Sequence, residues 1–138
     1  MILCGHMLFL LGWLLLTPLS AQASRFHPGT VIKGEGRAAL FVVLASGHLA
    51  HIPSVQVLRC LELHRQPPQV VPALAVDNLP KSPLLVRSPD GRIFRIEGVV
   101  KRHIQSPAVL QRLGYPASSI LAAGEDQLRC LADGPPVE

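Results

Sequence analysis

The sequence predicts an α+β protein of two tandem units. Each is a three-stranded antiparallel meander followed by a capped short helix, a brief strand and a second short helix. Three observations predict it. Residues 51–61, HIPSVQVLRCL, recur 52 positions later, where His51 matches His103, Ile52 Ile104, Ser54 Ser106, Val57 Val109, Leu58 Leu110 and Leu61 Leu113. A period of about fifty residues marks a repeated supersecondary unit. Short β-branched and aromatic runs bounded by glycine precede each copy, the pattern of buried strands. Within each copy a serine stands before apolar residues at helical spacing, which is a helix start.

The chain has 138 residues, and its opening differs from the rest. Met7 to Leu16 is an apolar run, followed by Thr17-Pro18 and then Ala21-Gln22-Ala23, the small-x-small pattern of a cleaved export signal. The run is too short to cross a bilayer, which takes about 20 apolar residues. Residues 1–23 are therefore expected to be a signal peptide, and no stable membrane span is expected after its removal. Residues 24–28 read as an exposed arm.

The first unit, 29–81, opens with a strand at Thr30–Lys33, and Gly34-Glu35-Gly36 breaks it from an apolar strand, Ala38–Leu44. Ala45-Ser46-Gly47 turns the chain into a third strand, His48–Ile52. Ser54 is the N-cap of a helix over Val55–Leu63, whose Val57, Leu58 and Leu61 fall on one face. Pro67-Pro68 ends it. Val70-Val71 forms a brief extended piece, and Pro72 opens a second short helix at the position where a missing N–H costs nothing.

The second unit, 82–134, has clearer punctuation. A strand at Leu84–Val86, a Pro89-Asp90-Gly91 turn and a strand at Ile93–Ile96 make a hairpin, and Glu97-Gly98 leads into Val99–Ile104. Ser106 is the N-cap and Pro107 the first helical residue. Gly114 closes the helix behind the stripe Val109, Leu110 and Leu113. Ile120-Leu121 repeats the brief strand. Glu125 and Asp126 suit the start of a last helix, where negative charge complements the dipole. Residues 135–138 read as a C-terminal tail.

Composition narrows the chemistry. All 13 Lys and Arg and all nine Asp and Glu follow residue 23, so the mature chain keeps the net charge of +4. It has no Trp or Met after that point, and its aromatic residues there are Phe26, Phe41, Phe94 and Tyr115. Few rings to stack on bases, in an exported chain, argue against nucleic acid. Cys60 and Cys130 each stand in Leu-Arg-Cys-Leu. In an exported chain such a pair is expected to form a disulfide.

No nucleophile elbow, His-Glu-x-x-His helix or phosphate-binding loop is present, and the carboxylates are scattered, so no catalytic residue, cofactor or metal ligand is assigned. His51 and His103 occupy equivalent places. With Ser54 and Ser106 they read as structural positions of the repeat, each ring bonding backbone near a helix start. Units related by a pseudo-twofold axis would instead let the two imidazoles meet, for a small metal-dependent or hydrolytic enzyme with Cys60 as a further candidate. Lys101 and Arg102 form the basic concentration, with Arg87, Arg92 and Arg95 nearby. Lys101, Arg102, His103, Arg92, Arg95 and Tyr115 make the candidate binding face, suited to an anionic glycan or phosphate polymer.

The order Phe94-x-Ile96-x-Gly98, Lys101-Arg102-His103-Ile104, Ser106-Pro107, a short helix and Leu113-Gly114-Tyr115 resembles a tandem repeat of exported bacterial cell-envelope proteins. The first unit keeps Phe41, Gly47, His51, Ile52, Pro53 and Ser54, but has Leu49-Ala50 in place of the basic pair and Glu62-Leu63 in place of Gly-Tyr. The resemblance implies a secreted or periplasmic, non-catalytic accessory module that contacts an envelope polymer or an envelope protein. A secreted inhibitor or assembly partner is the other expectation.

Overall fold

The computed structural model describes residues 26–138; the expected leader and the first residues of the arm lie outside them. Two five-stranded mixed sheets and four short helices make up the fold. In the first half, β1 (Val31–Gly34), β2 (Leu40–Val43) and β3 (Leu49–His51) form the expected antiparallel meander. Helix α1 (Val55–Cys60) follows, then β4 (Gln69–Val71), α2 (Ala73–Asn78) and β5 (Lys81–Ser82). The second half runs β6 (Leu85–Arg87), β7 (Ile93–Glu97), β8 (Val100–Ile104), α3 (Pro107–Leu113), β9 (Ile120–Ala122), α4 (Glu125–Arg129) and β10 (Ala132–Asp133).

The sheets share one strand order, β4-β1-β2-β3-β5 and β9-β6-β7-β8-β10. The brief strands β4 and β9 flank the meander in parallel with its first strand, and β5 and β10 lie parallel to its third. These last two strands were not expected. Each is only two residues long, below what alternation of residue type can reveal.

Both serine caps form as the sequence requires: the Ser54 hydroxyl accepts from Val57 N at 3.1 Å and the Ser106 hydroxyl from Val109 N at 3.3 Å. Gly114 takes the left-handed conformation, φ 74°, that ends α3. Helix α1 is shorter than expected, stopping at Cys60 rather than Leu63. Glu62, the counterpart of Gly114, is left-handed at φ 57° and starts a 3-10 turn over Leu63–Arg65. A side chain there is strained, and its carboxylate is held from two sides, by Arg65 Nη2 at 2.8 Å and by Gln127 Nε2 of the other half at 2.9 Å.

Three apolar clusters fill the fold, and their membership defines how the halves meet. The central one joins Val31, Val42, Leu44, Ala50, Ile52, Val57 and Leu61 to Val86, Phe94, Ile96, Leu128 and Leu131. It thus combines the α1 side of the first sheet with the α4 side of the second. The α2 side of the first sheet holds its own cluster around Ile32, Val43 and Val76, and the α3 side of the second holds another around Leu85, Ile104 and Val137. The halves therefore meet through unlike faces, head to tail, and the pseudo-twofold arrangement that would bring equivalent residues together is not adopted. Cys60 and Cys130 close this junction as a disulfide, with Cα atoms 5.5 Å apart.

Candidate functional site

The chain after Arg87 turns through a tight Ser-Pro-Asp-Gly-Arg loop. Ser88 N donates to Arg92 O at 2.9 Å and Gly91, at φ 91°, supplies the conformation that closes the turn. Asp90 is its staple. One carboxylate oxygen accepts from the buried Ser88 hydroxyl and from Arg92 N at 3.1 Å, and the other accepts from Arg92 Nε at 2.7 Å. These bonds, the Ser88 hydroxyl first, pull the Asp90 carboxyl from an ordinary 3.8 down to about 2. Because the folded value is depressed, the stabilisation from this staple is present above about pH 4 and lost as pH falls through about 2. Asp90→Asn is expected to remove that acid sensitivity, which thermal denaturation of both proteins between pH 5 and 2 would read.

Between this loop and the start of α3 lies an open cavity of about 570 Å³, lined by Arg87, Asp90, Arg92, His103, Gln105, Ser106 and the apolar side chains of Ile93, Ile104 and Leu110. The Arg92 guanidinium stands 5.4 Å from the Phe94 ring centroid, and the His103 ring lies 5.4 Å from the same ring. Arg87 is exposed, and no carboxylate among the described residues pairs with it.

The first half carries a counterpart. A smaller cavity, about 260 Å³, is lined by Ala38, Ala39, Leu40, His51, Ile52, Ser54, Val55 and Leu58. Phe41 faces His51 across the strands as Phe94 faces His103, which fixes the correspondence. Gly91, Arg92, Ile93, His103, Ile104, Ser106, Pro107 and Leu110 then match those eight positions one for one. The two cavities share a frame, but Ala38 and Ala39 stand where the second has Gly91 and Arg92. Charge is confined to the second.

The expected binding face is divided by this geometry. Arg92 and His103 are brought together at the cavity, with Ser106 at its wall. Lys101 faces the other way into the junction, only 12% of its side chain exposed, its Nζ donating to Leu131 O at 2.5 Å and 3.1 Å from Asp133. Arg102 is on the α3 side of the sheet with Arg95. Its Nε donates to Pro135 O at 2.8 Å and its Nη1 to Glu97 Oε2 at 3.0 Å. Arg95 Nε lies 2.9 Å from Glu97 Oε1 without hydrogen-bond geometry, so that contact is charge attraction and the buried Nε has no hydrogen-bond partner. Tyr115 is half-buried in the α3 cluster. Neighbouring strand residues point to opposite faces, so a basic pair written side by side cannot act as one surface.

His51 and His103 do occupy equivalent places, but each lines its own cavity. The expected ring-to-backbone bonds are replaced by packing on Phe41 and Phe94, 5.5 and 5.4 Å between centroids. Among the described residues no three His, Cys, Asp or Glu side chains converge as a metal-holding group, and no helix is long and apolar enough to cross a membrane. Asp90 and Gln105 did not figure in the expected face. The Asp90-Gly91 turn was legible, but that it curls against a helix start depends on tertiary packing. Comparison with family models, curated proteins and solved structures found no match for the chain.

Proposed function

We propose that the protein is a non-catalytic, exported binding module of the cell envelope, which holds an anionic group of an envelope polymer or envelope protein in the cavity beside α3. The observation that carries this reading is the pair of matching cavities: one frame occurs twice, and in one copy only it is enlarged and lined with Arg87 and Arg92. A guanidinium with no internal carboxylate partner is available to a carboxylate or phosphate from outside. Arg92 is positioned by Asp90 through Nε, which leaves its terminal nitrogens for a ligand. The disulfide suits an oxidising compartment, as does the expected export signal.

Co-sedimentation with purified cell-wall sacculi tests the glycan version. Wild-type protein is expected to sediment at low salt, less so as salt screens the contact. Arg87→Ala with Arg92→Ala is expected to weaken binding about tenfold or more, the scale of a lost charge-assisted hydrogen bond. Failure of wild type to sediment removes the glycan version, and affinity capture from an envelope extract then tests the protein version. Lys101→Ala with Arg102→Ala serves as a contrast, since both side chains are engaged by the chain's own C-terminal stretch.

A further inference from the structure

We propose that this fold is built to stack head to tail. The outer, α3 side of the second sheet is a docking face for another unit of the same kind, and the chain closes that face with residues 134–137 and an Arg95–Glu97–Arg102 ion triad. Removing the closure makes the first half of a second copy its partner. This inference is independent of the cavity beside α3.

The internal junction uses the α1 side of one sheet and the α4 side of the other. Such a heterologous contact leaves one face of each kind unused, at opposite ends, and it propagates unless something stops it. The unused α3 side corresponds to the α1 side that the second half covers. The Phe41–His51 and Phe94–His103 pairs set the register, so Arg95 stands at the place of Val42, Glu97 at that of Leu44 and Arg102 at that of Ala50. In the first half all three of these places are buried and apolar in the central cluster. Their counterparts are an ion triad, in which Glu97 reaches Arg95 at 2.9 Å and Arg102 at 3.0 Å. A polar outer face is how terminal units of repeat arrays are closed.

The C-terminal stretch completes the closure. Gly134 N donates to Lys101 O and Val137 N to His103 O, each at 2.9 Å, while Arg102 holds the carbonyls of Pro135 and Pro136. Val137 is buried with Leu85 and Ile104. Gly134 sits so close that a Cβ there would lie 2.9 Å from Val100 Cγ2. By the 52-residue offset Val137 corresponds to Leu85, where the first half runs on into the next sheet; here the chain folds back instead. Residues 135–138, the expected C-terminal tail, run beside β8 through a parallel bridge between Val137 and Ile104.

The disulfide supplies the test, because Cys60 corresponds to Arg112 on α3 and Cys130 to Asn78 on α2, both exposed. One oxidised protein carrying Arg112→Cys is mixed with another carrying Asn78→Cys. In the otherwise unaltered chain the mixed disulfide dimer is expected to stay at the level of an exposed control cysteine. With Arg95→Val, Glu97→Leu and Arg102→Ala and residues 135–138 removed, mixed dimer should become the main product. Without added cysteines, light scattering should give at least double the monomer mass. Equal cross-linking in the unaltered chain overturns the proposal, as does a folded, opened variant that stays monomeric and uncross-linked. Should the combined change prevent folding by circular dichroism, the exchange is read on removal of 135–138 alone, where no rise in mixed dimer is the overturning result.

Discussion

Replacing Cys60 and Cys130 together with alanine is expected to lower the unfolding free energy by about 4 kcal/mol. The bond closes a loop with a sequence separation of 70, and a loop of that length removes about this much chain entropy from the unfolded state. Here it also ties the two halves together across their junction, from the last residue of α1 to the residue that caps α4. Urea denaturation of the oxidised protein, the reduced protein and the double variant would read the effect. Reduced wild type and the double variant should have coincident midpoints, both well below that of the oxidised protein. If reduction left the midpoint unchanged, the disulfide would be irrelevant to stability.

The second large effect concerns two phenylalanines that the sequence makes equivalent and the fold does not. Phe94 is 3% exposed inside the central cluster, whereas Phe41 is half-buried on the outer, α2 side of the first sheet. Phe94→Ala should cost about 3–5 kcal/mol, the range for deleting a fully buried aromatic ring. Phe41→Ala should cost clearly less, since solvent can refill part of the space it leaves. Equal losses would contradict the head-to-tail junction, because only unlike faces give the two rings different surroundings. Far-ultraviolet circular dichroism during urea titration of each variant gives the comparison.

The meanders, the serine caps at Ser54 and Ser106, the Gly114 stop and the Cys60–Cys130 pairing follow from local rules of capping, turn chemistry and compartment, and they stand in the structure. What escaped was non-local. Lys101 and Arg102 look like one charge cluster in a string, but a pleated strand sends them to opposite faces, one to the junction and one to the outer face. The cavity gathers residues from a loop, a strand end and a helix start, and no spacing along the chain announces that meeting. The end of α1 is not marked in the sequence, because Glu62 carries none of the signal of the glycine at its counterpart. Its left-handed turn is held by Gln127, 65 positions away.

During synthesis the first half emerges before residues 121–131 exist, so Val42, Leu44 and Ala50 lack the Leu128 and Leu131 part of their cluster and Glu62 has no Gln127 to hold it. Contacts of such long sequence separation must wait for loop closure and are slow to form. The first half is thus completed by residues 121–131 of the second. Folding of the whole should be a single late cooperative event rather than two successive ones, and a chain cut short before α4 should be left open to proteolysis.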